Sequence, residues 1–140
     1  MDNNTKRMCG LVLLSMPTIE FGGYFLLRVL SGGHQELALT PFQQSMFRAG
    51  HAHAGVLVIL ALVAILLAPH SGLSQRLKGL VQWAFPVAAI LISGGFFAAA
   101  SGKGITAPTG GIVILYAGIV VLATGMVLLG VGLLRNKESV

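Results

Sequence analysis

Glu20, Tyr24 and Arg28 recur at intervals of four residues. On a helix they would line one stripe. A carboxyl, a phenol and a guanidinium on one line can hold or pass a proton, or present charge to a ligand. Arg48, His51 and His53 stand further on, at the mouth of an uninterrupted apolar run over 55–69. Imidazole titrates near neutral pH and ligates transition metals in its neutral form. With arginines beside it, it can also hold an anionic headgroup. Glu20, Tyr24, Arg28, Arg48, His51 and His53 are therefore the candidate ligand or proton site. His51, His53 and His34, in the preceding segment, are the candidate ligands of a metal or haem. No residue is assigned a catalytic role.

The spacings limit what these groups can do together. An ionised side chain inside a bilayer costs at least about 2.5 to 3.5 kcal/mol on insertion scales. Glu20 lies near the middle of the first apolar stretch, so it is expected to face the bundle interior, to be protonated, or to have a partner. Arg28 leans back toward it, but eight residues separate the two α-carbons by about 12 Å. A link through Tyr24 or water is expected rather than a direct ion pair. His51 and His53 are two apart, about 200° around a helix. They cannot both chelate one metal from a regular turn, because a helical pair sits three or four apart. Arg48, His51 and Gly55 share one face, and His53 shares another with Ala49, Val56, Leu57 and Leu60. Either histidine could still pair with His34. With the bilayer midplane near Glu20, Leu60, Ala89 and Val121, helical rise puts Arg28, His51 and His53 about 10 to 13 Å above it. Tyr24, Ser93 and Tyr116 lie about 6 to 8 Å above it. If these groups point inward together, they line an outward-open cavity with Glu20 at its floor.

The elements that carry them are membrane spans. The chain is 55% hydrophobic and 9% charged, with a mean hydropathy of +0.86. Soluble domains carry about 25% charged residues. Its nine Lys and Arg are scattered among apolar segments, which leaves no nucleic-acid face, and Cys9 alone excludes an intrachain disulfide. Four helices are expected, over about 9–30, 41–69, 75–100 and 109–134, each near the length that crosses a bilayer. They make one integral membrane domain over 1–140: all-α, a polytopic four-transmembrane-helix bundle. The links are short, so neighbours should be antiparallel. Thr40 is an N-cap, Pro41 suits the first helical position, and Gln43 sits where a capping-box partner belongs. Pro86 removes the hydrogen bond to the Gln82 carbonyl and should kink the third helix. Gly94-Gly95 with Ala98, Ala99 and Ala100, and Gly118, Gly125, Gly130 and Gly132, are small-residue faces for close helix packing. The first helix carries Glu20 and Arg28 and lacks a small-residue cleavage site, unlike a signal peptide.

Lys and Arg placement sets the orientation. Lys6, Arg7, Arg76, Lys78, Arg135 and Lys137 fall on one side; Arg28, Arg48 and Lys103 fall on the other. Both N and C termini are expected to be cytoplasmic, in a cytoplasmic (inner) membrane. His70 falls on that side as a turn residue.

The segment 48–57 resembles the histidine-bearing helix of the haem-copper oxidase subunit I superfamily and its small relatives, where His-x-His opens a long apolar helix near the outer face. That resemblance implies haem or a transition metal at His51 and His53. The third and fourth helices contain no histidine, so the superfamily's other ligands have no counterpart. The chain is also similar to small multidrug resistance transporters, short four-helix chains with a carboxylate midway along the first helix, here Glu20. As a whole it resembles small four-helix bacterial membrane proteins. Three functions follow. The first is a binding or accessory protein holding haem, metal, quinone or a lipid headgroup. The second is a proton-coupled transporter using Glu20, and the third a structural or assembly subunit. The partners implied are membrane lipid and either a second copy or another subunit of a membrane complex.

Overall fold

The computed structural model describes residues 1–33 and 38–135. Among them are α1 (Asn3–Leu30), α2 (Pro41–Leu67), α3 (Gln75–Ala99) and α4 (Ile112–Arg135), with a 3-10 turn over Ala68–His70 and no strand. The result is an all-α four-helix bundle in which every helix is long and apolar enough to cross a membrane. His34 and Lys137 lie outside the described residues.

Local chemistry sets the helix starts. The apolar run of α1 begins near residue 9, but the helix begins six residues earlier because Asp2 caps it. The Asp2 carboxylate accepts from the Thr5 amide and the Thr5 hydroxyl, each at 2.8 Å. Those two bonds, the amide's first, hold the Asp2 carboxyl below its usual 3.8. α2 opens with the expected capping box: Gln43 N donates to Thr40 Oγ1 at 3.2 Å, and Thr40 N donates to Gln43 Oε1 at 3.1 Å. α2 ends at Leu67 rather than 69, where the chain tightens into the 3-10 turn, and α4 starts at Ile112 rather than 109.

Two buried glutamines tie distant segments together. Gln43 Nε2 donates to the carbonyls of Ala100 (2.9 Å) and Gly102 (2.8 Å), while the Thr40 hydroxyl donates to the Ile105 carbonyl. The start of α2 is thereby fastened to the α3–α4 loop. At the other end, Gln82 Nε2 donates to Thr5 Oγ1 (3.1 Å) and to the Ile65 carbonyl (3.2 Å), and its Oε1 accepts from Asn4 Nδ2 at 3.5 Å. One side chain of α3 thus joins α1 and α2. Leaving such a buried polar group unpaired costs about 1–3 kcal/mol.

Packing follows chain order: α1 on α2, α2 on α3, α3 on α4. α3 and α4 meet along a glycine seam. Gly111, Gly118, Gly125 and Gly132 recur every seven residues, a repeat that keeps one helix face toward its neighbour. A Cβ at Gly111 would lie 2.6 Å from the Ala98 carbonyl, at Gly118 2.8 Å from Ile92 N, and at Gly132 2.6 Å from Leu73 Cγ. Gly95 answers from α3, where a Cβ would run into the Leu115 backbone. Close approach of this kind is what draws helices together where apolar burial gives little drive. Gly130 belongs to no such contact: it is exposed, and a Cβ there would meet nothing within 4 Å. Gly94 is the same. α1 is the least enclosed helix. Met8 and Val12 enter the core with Leu57, Val58, Ala89 and Ile92, but no residue of α1 beyond Val12 is buried.

Candidate functional site

α1 and α3 are held together at Gln82 and have few contacts elsewhere, so a cleft runs between them with α2 as its floor. Its first chamber, about 310 Å³, is walled by Ser15 and Thr18 of α1, Val58 of α2, and Trp83, Pro86 and Ser93 of α3. A second, about 410 Å³, continues toward Leu39 between Gly22 and Phe25 of α1, Phe47 and His51 of α2, and Phe97 of α3. Thr18, Ile19 and Ala54 line both chambers, which makes them one cleft.

Its walls are mostly apolar, and most of its hydroxyls are already satisfied. Ser15 and Thr18 donate back to the carbonyls of Val12 and Ser15, both at 2.6 Å. Ser93 is the exception. It is 7% exposed, and its Oγ is the one buried side-chain N or O among the described residues without a hydrogen-bond partner. A buried hydroxyl in that condition costs roughly 1–3 kcal/mol. Its backbone faces α2 at Gly50, where a Cβ would sit 3.1 Å from the Ser93 carbonyl. Ser93 is therefore level with the turn of α2 that carries His51.

His51 is half-buried and lies across α1: a Cβ on Gly23 would be 2.7 Å from both Cε1 and Nε2 of its ring. The glycine at 23 is what admits the imidazole between the two helices. His53 points the other way, as the 200° spacing requires. Its ring lies 4.9 Å from that of Phe96 on α3. Its Nδ1 is 2.7 Å from the Ala49 carbonyl, and since a carbonyl can only accept, Nδ1 carries the proton. Arg48 is exposed at the same end.

The expected cavity floored by Glu20 is not what the chain builds. Glu20, Tyr24 and Arg28 do share a stripe, and Arg28 Nη1 reaches the Tyr24 hydroxyl at 3.4 Å, but all three are exposed. The reason is angular. Thr18 lines the cleft, and Glu20, two residues on, lies about 200° around α1 from it. Of the predicted site residues that are described, the structure brings only His51 to the cleft. Ser93, placed by depth in the outer half but not singled out, joins it. No three His, Cys, Asp or Glu among the described residues lie close enough to hold a metal ion together. His51 and His53 are on opposite sides of α2, and His34 lies outside the described residues.

No protein family, curated protein or solved structure matches the chain. The resemblance of 48–57 to the haem-copper oxidase helix gains no support from them, and the functional reading rests on the cleft.

Proposed function

We propose that this is a multi-pass protein of the cytoplasmic membrane that binds one neutral, lipid-soluble molecule in the α1–α2–α3 cleft. The carrying observation is the Ser93 hydroxyl, buried against the cleft without a partner. Among the described residues no Lys, Arg, Asp or Glu lines the cleft, which favours a neutral ligand over an anionic headgroup or the propionates of haem. Its aromatic walls suit a flat ring, and Ser93 and His51 can donate to carbonyl oxygens. An isoprenoid quinone has that chemistry: a ring with two carbonyl acceptors and an apolar tail that can leave through the α1–α3 gap.

Trp83, the chain's one tryptophan, lines the first chamber and reports on occupancy. A short-chain benzoquinone titrated into the protein in lipid nanodiscs should quench its fluorescence saturably. Ser93→Ala should weaken binding about five- to tenfold, the equivalent of one hydrogen bond of about 1 kcal/mol. His51→Phe should weaken it similarly, and His53→Ala should leave it unchanged. Quenching that rises linearly with quinone, as from molecules merely dissolved in lipid, would refute the reading.

The orientation is proposed from charge alone, with both termini cytoplasmic. A reporter fused after Val140 should be active in the cytoplasm. Activity only in the periplasm would reverse it and place His51 and Ser93 in the inner half.

A further inference from the structure

Glu20 lies on the flank of α1 opposite the cleft. It is exposed, and it makes no hydrogen bond or ion pair among the described residues. Its neighbours on that flank, Leu13, Pro17 and Tyr24, are exposed too. Lipid chains offer a carboxyl no partner at this depth, and intramembrane ionisable groups as a rule face protein or water. Arg28 does not serve. It stands two helical turns away, about 12 Å along the axis, and its guanidinium is turned to Tyr24. Of the other cations of the described residues, Lys6, Arg7, Arg76, Lys78 and Arg135 lie in the first two turns or the last turn of their helices, Lys103 lies in a loop, and Arg48 lies on α2 at the end that carries His51.

We propose that this flank of α1 is a docking surface for a transmembrane helix of a different protein, one that presents a lysine or arginine at the depth of Glu20. A second copy fits badly. Paired in parallel about an axis along the membrane normal, two α1 helices would set Glu20 against Glu20 and Arg28 against Arg28, like charge on like charge at both levels. An antiparallel pair would match Glu20 with Arg28 only by crossing at Tyr24. That point lies well off the bilayer centre, so one copy would be displaced along the membrane normal. A foreign helix with a central cation satisfies the carboxylate without either penalty. The mostly apolar residues around Glu20 supply the packing surface.

The test uses the full chain in phosphatidylcholine vesicles with two synthetic Leu-Ala transmembrane helices, one with a central lysine and one with a central leucine. Energy transfer between labels reads association. The lysine helix should bind at least tenfold more tightly than the leucine helix, and Glu20→Gln and Glu20→Leu should each remove that preference. Both variants should keep the thermal stability of the parent, because Glu20 has no partner to lose. Equal binding of the two helices overturns the proposal, as does a lysine preference that survives in Glu20→Leu. Self-association that depends on Glu20 and displaces the lysine helix also overturns it, in favour of a second copy. None of these outcomes depends on quinone binding in the cleft.

Discussion

Gly95→Ala is expected to lower the stability of the bundle by about 2 kcal/mol, whereas the same change one residue earlier, Gly94→Ala, should leave it unchanged or raise it by up to about 1 kcal/mol. The chemistry of the two substitutions is identical; only the surroundings differ. At Gly95 a new methyl runs into the Leu115 backbone, which cannot swing aside as a side-chain tip can. α4 would have to move as a body, and the seam through Gly111, Gly118, Gly125 and Gly132 would open with it. Overpacking of this kind costs about 1–3 kcal/mol and sometimes more. The gain in helix propensity, about 1 kcal/mol from glycine to alanine, offsets only part. At Gly94 the methyl meets nothing within 4 Å, so the propensity gain stands alone. Thermal unfolding of the two variants side by side in detergent measures the difference. Equal stability would mean that α3 and α4 are not in close contact at this point.

What could be read from the chain beforehand divides along a physical line. Features fixed by neighbouring residues were legible. The Thr40–Gln43 box needs only a four-residue window, and the opposite directions of His51 and His53 need only the helical period. Four helices long and apolar enough to cross a membrane needed only length and apolarity. What stayed hidden depends on which helix lies beside which. The cost of a buried charge left Glu20 to face the bundle interior, to be protonated or to have a partner, yet the period that separates His51 from His53 also separates Glu20 from Thr18, and only the position of α3 decides which of them meets the cleft. Ser93 could be placed in the outer half by counting residues, but that its hydroxyl lacks a partner is a property of three helices together. Gln43 and Gln82 bond across 57 to 59 and 77 to 78 residues of sequence, where no local pattern reaches. The glycine seam lay between the two cases. Its seven-residue repeat is written in the chain, but Gly130 obscures it, and only the approach of α3 shows which glycines matter.

Gly22 and Gly23 set the most demanding test of the cleft, because adjacent substitutions should act in different ways. Gly22 lines the second chamber, and a Cβ there would meet nothing within 4 Å. Gly22→Leu should therefore be accepted by the fold, with a stability gain of up to about 1 kcal/mol from helix propensity. Its side chain would occupy the space between Phe25 and His51, and saturable quenching of Trp83 by the benzoquinone should weaken at least a hundredfold. Gly23→Ala puts its methyl 2.7 Å from Cε1 and Nε2 of His51. The imidazole is the end of a side chain and can rotate away, so the bundle should survive. The cleft stays open but loses one of its two hydrogen-bonding groups, and affinity should fall only about five- to tenfold, as for His51→Phe. The order of the two effects is the discriminating result, since a ligand held elsewhere would be indifferent to Gly22. If Gly22→Leu is as stable as predicted yet still quenches saturably with the parent's affinity, the second chamber is not part of the binding site. His51 would then be a packing residue that Gly23 happens to accommodate.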